Sequence, residues 1–296
     1  MKKPNLNNPM GGRLALLTAA VIWGSSFIVM KDAVAGVPVF LLLAIRFSIA
    51  CALLGVIFRK RLKASGRTLL GHGAVCGVLL LSAYATQTFG LTTTSPGTNA
   101  FLTAVYCVLV PFMAWALYCK RPTSYNWAAA VMCVTGIGLI SLSGDLSIGT
   151  GELLTLLSGV FFGLHIMCLS HFSGKDDPVA LTIVQFAVVA ILAWACSLLT
   201  ERGTAFPAPE VWPQLLYLTV FATAATLVLQ SVGQSLTPPS QSAILLSLES
   251  VFAVLFSVLL GREALTVQLG CGFALVFLSV IVSETQLSFL KRSKKT

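Results

Sequence analysis

Residues 38–58 read PVFLLLAIRFSIACALLGVIF, a stretch with one charged side chain, Arg46. A transmembrane helix needs about 20 predominantly apolar residues, so this stretch is long enough to cross a bilayer. It opens at Pro38 and is followed by the basic run RKRLK at 59–63. We therefore interpret residues 38–58 as a membrane span.

Further apolar runs lie on either side of this span, separated by short polar segments. Together they predict ten spans, near residues 14–30, 38–58, 69–90, 97–119, 126–143, 151–170, 178–200, 211–231, 240–260 and 267–285. Of the 296 residues, 56% are apolar and 10% are charged, whereas soluble domains carry about 25% charged residues. This composition excludes an ordinary soluble enzyme, a disordered chain and a secreted disulfide scaffold. It predicts an all-α integral membrane protein.

The basic residues are concentrated on one side of the predicted membrane. Of the 19 Lys and Arg residues, 15 fall in the two ends and in the loops that share their side. Only Lys31, Arg202 and Arg262 fall on the opposite side. Because Lys- and Arg-rich loops stay in the cytoplasm, both ends are expected to be cytoplasmic. The net charge of +9 then indicates topology and contact with anionic lipid, with no nucleic-acid partner.

The two halves of the chain resemble each other at an offset of about 140 residues. Gln87-Thr-Phe-Gly90 matches Gln230-Ser-Val-Gly233, and Pro96 matches Pro239. Each half holds five predicted spans, an odd number, so the second half must enter the membrane from the opposite side. Inverted repeats of this kind are typical of secondary transporters, which bind substrate near the midplane between the halves. We expect a first repeat at 1–143, a second at 151–285 and a basic cytoplasmic tail at 286–296.

Two charged side chains lie deep within the predicted spans, Arg46 in the second and Glu249 in the ninth. On insertion scales such a residue costs roughly 2.5–3.5 kcal/mol, so it is a functional candidate by default. For Glu249, a role in binding substrate or a proton and a structural role are both open. Arg46 is more readily interpreted as a structural tie between helices, and the two residues could also pair.

Uncharged polar side chains inside the spans are further candidates. Gln87 and Gln230 occupy equivalent positions in the two repeats, as do Tyr106 and Glu249. Such pairs are expected to face the centre of an inverted repeat. His165 lies well inside a predicted span, where it is either a proton relay or a hydrogen-bonded core residue.

Proline and glycine add two expectations about the backbone. Pro111 lies inside the fourth span, lacks a backbone N–H and predicts a kink, which makes it a candidate hinge. The small-xxx-small patterns at Ala20 and Gly24 and at Gly73 and Gly77 predict close approach of neighbouring helices. The pair Asp176-Asp177, just before Pro178, is expected to cap the seventh span.

The sequence carries no signature of catalysis. GxSxG, HExxH and Walker motifs are absent, and the eight cysteines form no CxxC pair. We therefore predict no enzymatic activity, no disulfide, no metal and no cofactor. A membrane-embedded sensor or assembly protein without transport stays open as an alternative to a carrier of small-molecule substrates. A lipid-modifying membrane enzyme is less favoured, and a homo-oligomer is possible in either case.

Three sequence motifs resemble those of the EamA-type ten-helix branch of the drug/metabolite transporter superfamily. The resemblance spans nearly the whole chain and rests on Trp23-Gly-Ser-Ser-Phe27, Ser95-Pro-Gly-Thr-Asn-Ala-Phe-Leu102 and Ala243-Ile-Leu-Leu-Ser-Leu-Glu249. Ser250 departs from it, because the family usually has proline after the glutamate. Tyr106 likewise stands where the second repeat has a carboxylate.

The resemblance implies a ten-helix inner-membrane carrier that works by alternating access and mostly exports amino acids and related small metabolites. It also implies a central cavity lined by helices 1, 3, 4, 6, 8 and 9. On this chain that selects, as substrate-pathway residues, Trp23, Ser26, Gln87, Asn99, Tyr106, His165, Gln230 and Glu249. Arg46, on the second helix, would then be peripheral.

Overall fold

A computed structural model describes residues 9–63, 66–119, 121–141, 148–173, 175–237 and 239–286. Within these ranges the chain is helical and forms no β-strand. The α-helices are α1 (Pro9–Val34), α2 (Val39–Ile57), α3 (Arg59–Lys63), α4 (Thr68–Thr93), α5 (Pro96–Ala104), α6 (Tyr106–Tyr118), α7 (Ser124–Ser141), α8 (Thr150–Ser173), α9 (Pro178–Thr200), α10 (Trp212–Thr219), α11 (Thr226–Leu236), α12 (Pro239–Leu259) and α13 (Val267–Thr285). A 3-10 turn at Pro209–Val211 precedes α10, and a π-helix at Val220–Ala225 joins α10 to α11. The predicted basic tail lies outside the described residues, apart from Gln286.

Eight helical stretches among the described residues are long and apolar enough to cross a membrane. They are Met10–Val34, Val39–Ile57, Thr68–Thr93, Pro96–Leu117, Thr150–Leu169, Pro178–Thr200, Pro209–Gly233 and Val267–Thr285. Of two shorter apolar helices, Ser124–Ile140 overlaps the predicted fifth span and Ile244–Leu259 lies within the predicted ninth. The expectation of an all-α, multi-pass membrane protein is confirmed.

Side-chain caps fix where several of these helices begin. The Asp177 carboxylate accepts hydrogen bonds from the backbone N–H groups of Val179 and Ala180, each at 3.0 Å. This confirms the predicted cap of α9. Ser95 caps α5 in the same way, because its hydroxyl accepts from the Thr98 N–H at 3.2 Å. Both helices carry proline at their first position, where the missing N–H has no helical partner to lose.

Glycines let helices from the two halves of the chain touch backbone to backbone. A Cβ added at Gly24 would lie 2.5 Å from the Cβ of Phe252 and 2.9 Å from the carbonyl oxygen of Glu249. α1 therefore lies directly on α12 beside Glu249. At Gly77 an added Cβ would lie 2.6 Å from the Cβ of Val188, which places α4 equally close to α9. The predicted close packing of these two patterns is confirmed.

Polar contacts at one end of the bundle join α1 to the turn between α4 and α5. Lys31, in the last turn of α1, donates from Nζ to the carbonyl oxygens of Leu91, Thr92 and Thr94 at 2.7, 2.9 and 2.9 Å. These carbonyls belong to the C-terminal end of α4, where a positive charge is favourable because the helix dipole is negative there. The ammonium group therefore caps a helix other than its own.

Two further contacts at this end bring in the loop between α12 and α13. Arg262 Nη2 lies 3.0 Å from Asp32 Oδ2, and the Ser95 hydroxyl donates to the carboxylate of Glu263. We call these contacts, together with those of Lys31, the Lys31 latch. It joins α1, the α4–α5 turn and the α12–α13 loop.

The opposite end of the bundle has its own polar contacts, around the start of α9. His72 Nδ1 lies 2.5 Å from Asp176 Oδ2, and Arg61 lies 3.6 Å from Asp177. The His72 ring stacks on Phe172 with 4.1 Å between ring centroids. The α2–α4 connection is thereby held against the start of α9.

The predicted fourth span is two helices, α5 and α6, interrupted at Val105. The N–H groups of Val108 and Leu109 both donate to the Val105 carbonyl, at 2.9 and 3.1 Å. Pro111 lies inside α6 and has no N–H for the carbonyl of Cys107, one turn earlier. The interruption therefore lies on the N-terminal side of the proline, close to the carbonyl that lost its donor.

Candidate functional site

A cavity lies in the interior of the bundle, lined by helices from both halves of the chain. Its empty space, including its opening, amounts to about 720 Å³. The lining residues are Trp23, Ser26, Phe27, Met30, Arg46, Leu80, Tyr84, Gln87, Thr88, Leu91, Thr103, Tyr106, Phe162, His165, Ile166, Leu227, Gln230 and Glu249. These residues lie on α1, α4, α5, α6, α8, α11 and α12, which correspond to spans 1, 3, 4, 6, 8 and 9 of the set implied by the resemblance. Arg46 adds α2, the second span.

Seven of the eight residues assigned to a substrate pathway line this cavity, and Asn99 does not. Asn99 is fully buried, and its Nδ2 donates to Thr155 Oγ1 at 2.7 Å and to the Gln87 carbonyl at 3.2 Å. Its amide joins α5 to α8 and α4 because its face of α5 packs on those helices. The assignment of Asn99 to the cavity wall is therefore corrected, and a pathway role for the other seven stays a prediction.

Glu249 lies in α12, next to the backbone contact that α12 makes with α1 at Gly24. Its side chain is 7% exposed and reaches the cavity from the second half of the chain. Tyr106, at the equivalent position of the first half, lines the same cavity. Within the described ranges Glu249 is in no ion pair, and neither is Arg46. The expected alternative in which the two deep charges pair with each other is therefore not observed.

Arg46 lies on the cavity wall, which corrects the expectation that it is peripheral. It is 1% exposed, and its Nε donates to Thr223 Oγ1 while its Nη2 donates to the Ala222 carbonyl at 3.2 Å. The guanidinium carbon lies 4.9 Å from the centroid of the Tyr84 ring. Nη1 is buried and has no hydrogen-bond partner among the residues that the structure describes. Arg46 therefore joins α2 to the π-helix, and the N–H donors of its Nη1 are not used by the described residues.

The π-helix at Val220–Ala225 is the local structure that receives Arg46. The Ala222 carbonyl also accepts from Trp23 Nε1 at 2.9 Å, so one acceptor serves side chains from α1 and α2. Thr223 Oγ1 donates in turn to the Leu218 carbonyl at 2.8 Å. Single π-turns inside α-helices occur frequently at functional sites, and this one positions two residues of the cavity wall.

His165 and Gln87 reach the cavity through side chains that are held by neighbours. His165 Nε2 lies 2.8 Å from Gln185 Oε1, and since an amide oxygen only accepts, Nε2 carries the hydrogen in this pair. Gln87 Nε2 donates to Thr103 Oγ1 at 3.1 Å. Both groups are therefore oriented before any solute binds.

Sequence reasoning missed ten residues of the wall, and eight of them are apolar or aromatic because the search was for polar and charged residues. The missed residues are Phe27, Met30, Leu80, Tyr84, Thr88, Leu91, Thr103, Phe162, Ile166 and Leu227. Most of them follow helical spacing from a candidate that was found: Phe27 and Met30 continue the face of Trp23 on α1, and Tyr84 and Leu91 continue the face of Gln87 on α4. The three-to-four residue period of a helix, applied outward from each polar candidate, would have found them.

Both halves of the chain match one family model separately. Residues 10–142 and 149–285 each match the EamA-like transporter family. An uncharacterized transporter of Archaeoglobus fulgidus is 33% identical over 269 residues, which cover 91% of this chain and 84% of that protein. The uncharacterized transporter YetK of Bacillus subtilis is 24% identical, over 97% of this chain and 92% of that protein. A solved crystal structure matches with a TM-score of 0.70 and 18% identity, covering 94% of this chain and 98% of that one, which shows likeness of fold alone.

Proposed function

The chain belongs to the EamA-like transporter family, and we propose that it is a secondary transporter that exports small organic metabolites by alternating access. Amino acids or related solutes are the proposed substrate class. The observation that carries the proposal is the internal cavity, in which one carboxyl, one guanidinium and several hydrogen-bonding groups face an apolar and aromatic wall. Such a wall can replace the hydration shell of a small polar solute.

The proposed architecture is ten spans arranged as two inverted repeats, 1–143 and 151–285. Packing supports it, because the contact of α4 with α8 has a counterpart in the contact of α11 with α1, and because α2 pairs with α9 and α7 with α13. Capping supports it as well. Thr123 Oγ1 accepts from the Asn126 N–H at 3.4 Å, and Thr266 Oγ1 accepts from the Leu269 N–H at 3.2 Å, at equivalent positions of the two repeats.

The proposed orientation places both ends in the cytoplasm of a cell with a bacterial-type inner membrane. It is supported by the 15-to-3 distribution of Lys and Arg over the two sides, and the basic side would contact anionic lipid. The Lys31 latch would then lie on the outer side and close the cavity there. A green fluorescent protein fused to the C-terminus tests the orientation: fluorescence is expected, and a dark fusion at normal expression would refute it.

In the proposed mechanism each group of the cavity has a role that follows from its chemistry. Glu249 attracts a cationic group of the solute or takes up a proton. Gln87, Gln230 and Ser26 supply hydrogen bonds, and Trp23 forms an aromatic wall. Pro111, beside the interruption between α5 and α6, is the proposed hinge.

The cavity also weighs against the alternatives. A membrane sensor or assembly protein has no need of a cavity with oriented polar groups, and dry packing of the same helices would have favoured it. A lipid-modifying enzyme needs a nucleophile and an acid or base clustered at one interface, whereas the polar groups of this cavity come from the interior of the bundle. We propose no catalytic role.

A metabolite-efflux screen tests the proposed function. Cells that express the protein are compared with cells that express Glu249→Gln at equal membrane levels, and extracellular metabolites are quantified. The expected result is accumulation of one or a few small polar solutes outside wild-type cells only. Identical extracellular profiles for wild-type, variant and empty-vector cells would count against export.

A further inference from the structure

We propose that Arg46 binds the carboxylate of the transported solute. The assignment rests on the transport function proposed above and goes beyond it by naming the group that recognises an anionic part of the solute. It also differs from the role that the sequence suggested for Arg46, which was a structural tie away from the cavity.

The first argument concerns the donors of Arg46. A guanidinium group has five N–H donors and keeps its charge at any pH that a cell experiences. The structure assigns one donor to Thr223 and one to the Ala222 carbonyl. Nη1 has no hydrogen-bond partner among the described residues although it is buried. A buried donor without a partner is unfavourable, and a solute acceptor at Nη1 would relieve that cost.

The second argument concerns charge. Arg46 is 99% buried in a membrane-spanning helix, where an uncompensated charge is strongly unfavourable. The ion pairs of the described residues do not include it. The Ala222 carbonyl and the Tyr84 ring offset this charge only in part, and because the guanidinium keeps its proton, an opposite charge would compensate it more fully. A carboxylate delivered by the solute has the charge and the planar shape that a guanidinium binds best.

The third argument concerns access. The bonds from Nε and Nη2 fix the plane of the guanidinium, so the group is already oriented. The Tyr84 ring lies over it, with 4.9 Å from the guanidinium carbon to the ring centroid, and Tyr84 itself lines the cavity. A cation–π contact is weaker than a bidentate carboxylate pair. A carboxylate that enters the cavity can therefore displace Tyr84 and take its place.

The rest of the cavity identifies the class of solute. Glu249 lies on the same wall from the other half of the chain, so an ammonium group on the solute would complement it. The remaining surface is largely apolar, with Leu80, Leu91 and Leu227 among its members. The best fit is a zwitterion with a carboxylate, an ammonium group and an apolar side chain.

The experiment uses the full-length protein in proteoliposomes and measures solute counterflow. The probes are leucine, methionine and phenylalanine, each paired with the amine that lacks only its carboxylate. We expect wild-type protein to prefer each acid over its amine by about ten-fold or more, the size of effect that a hydrogen bond to a charged group gives. Arg46→Gln should abolish that preference, and Arg46→Lys should keep part of it.

A matched control perturbs the same guanidinium without removing it. Thr223→Val deletes the partner of Nε and leaves Nη1 and the charge in place, so the acid preference should survive even if the overall rate falls. The comparison of acid with amine in the wild type needs no variant, so a variant that fails to fold does not leave the question open.

The outcomes separate this assignment from the function on which it rests. Equal transport of acid and amine by the wild type, or an Arg46→Gln variant that slows both alike, would overturn the role of Arg46 and leave transport standing. If neither the acids nor the amines move, transport of such solutes fails, and this assignment fails with it.

Discussion

At the scale of the residue, Glu249 is the carboxyl group of the cavity wall, and its charge is the property to test. Glu249→Gln keeps the size and one acceptor of the side chain but removes the negative charge. We expect the rate of solute counterflow in proteoliposomes to fall by about ten-fold or more, because a hydrogen bond to a charged group contributes roughly 1.5–3 kcal/mol.

Glu284→Gln is the matched control for this variant. Glu284 is a carboxyl residue of the membrane-spanning helix α13, and it is not among the residues that line the cavity. Its replacement should leave the rate within about two-fold of wild type, since it removes no hydrogen bond that the solute would make. Equal rates for wild type and Glu249→Gln would remove Glu249 from the mechanism.

The sequence predicted which polar residues lie deep in the spans better than it predicted where their side chains point. Glu249, Gln87 and Gln230 were found because polar groups are expensive inside a membrane, and all three line the cavity. The same argument selected Asn99, which instead joins α5 to α8. Polarity inside a span signals a need for partners, and those partners can be a solute or another helix.

At the scale of the element, Gly24 decides how closely α1 lies on α12. Gly24→Ala would bring a methyl group within 2.5 Å of the Phe252 Cβ and 2.9 Å of the Glu249 carbonyl oxygen. Overpacking of this kind costs about 1–3 kcal/mol, so the melting temperature in detergent should fall. Transport should fall too, because Glu249 shares the contact.

Gly71→Ala provides the comparison for Gly24→Ala. An added Cβ there meets nothing within 4 Å, and alanine is favoured over glycine within a helix by about 1 kcal/mol. Its melting temperature should equal or exceed that of the wild type. A Gly24→Ala variant as stable as Gly71→Ala would refute the close contact.

The junction between α5 and α6 carries a prediction of its own. Pro111→Ala restores an N–H that can bond with the Cys107 carbonyl and should stiffen α6, raising the melting temperature while slowing counterflow. A helix-interior proline costs about 3 kcal/mol relative to alanine, so the gain in stability should be measurable. Pro96→Ala is the control, because Pro96 occupies the first turn of α5 and no helical hydrogen bond is missing there.

If Pro111 is the hinge, only Pro111→Ala combines higher stability with slower transport. Unchanged rates for both proline variants would place the hinge elsewhere. The sequence could foresee a disturbance in this span but not its position at Val105, because the break also depends on how α5 and α6 pack on α8.

The π-helix at Val220–Ala225 is a second feature whose position could not be predicted from the local sequence. The apolar run that contains it predicts a helix of the right length, but nothing in its residue types marks the widened turn. The turn is recognisable through tertiary partners, since Arg46 and Trp23 both donate to the Ala222 carbonyl. The resemblance implied a peripheral Arg46 because the second helix is outside the implied cavity set, and no residue type in 220–225 indicated the turn that receives its side chain.

At the scale of the whole molecule, the Lys31 latch holds three parts of the chain together at one end. Lys31→Met removes three hydrogen bonds to the carbonyls of Leu91, Thr92 and Thr94, and it also removes one positive charge. We expect faster amide hydrogen exchange in the segment 91–98 and in the α12–α13 loop, measured by mass spectrometry on the protein in detergent.

Two controls bracket this prediction. Asp32→Asn removes an exposed ion pair with Arg262, which contributes only about 0–1 kcal/mol, so its effect on exchange should be smaller. Arg202→Met removes a basic residue outside the latch, which follows the end of α9 and whose Nε donates to the Leu198 carbonyl of that helix. Exchange in Lys31→Met no faster than in these two variants would show that Lys31 does not hold the latch.

Arg46 also makes the protein sensitive to the transmembrane potential. Its charge is buried in a membrane helix and cannot be discharged by a proton, so any rearrangement that moves it along the membrane normal performs work against the transmembrane potential. One elementary charge carried across 100 mV corresponds to about 2.3 kcal/mol, and a displacement through a tenth of the field to about 0.2 kcal/mol. Even a neutral zwitterion would then be carried at a rate that depends on voltage, and the slope of that dependence would measure how far the guanidinium travels in each cycle.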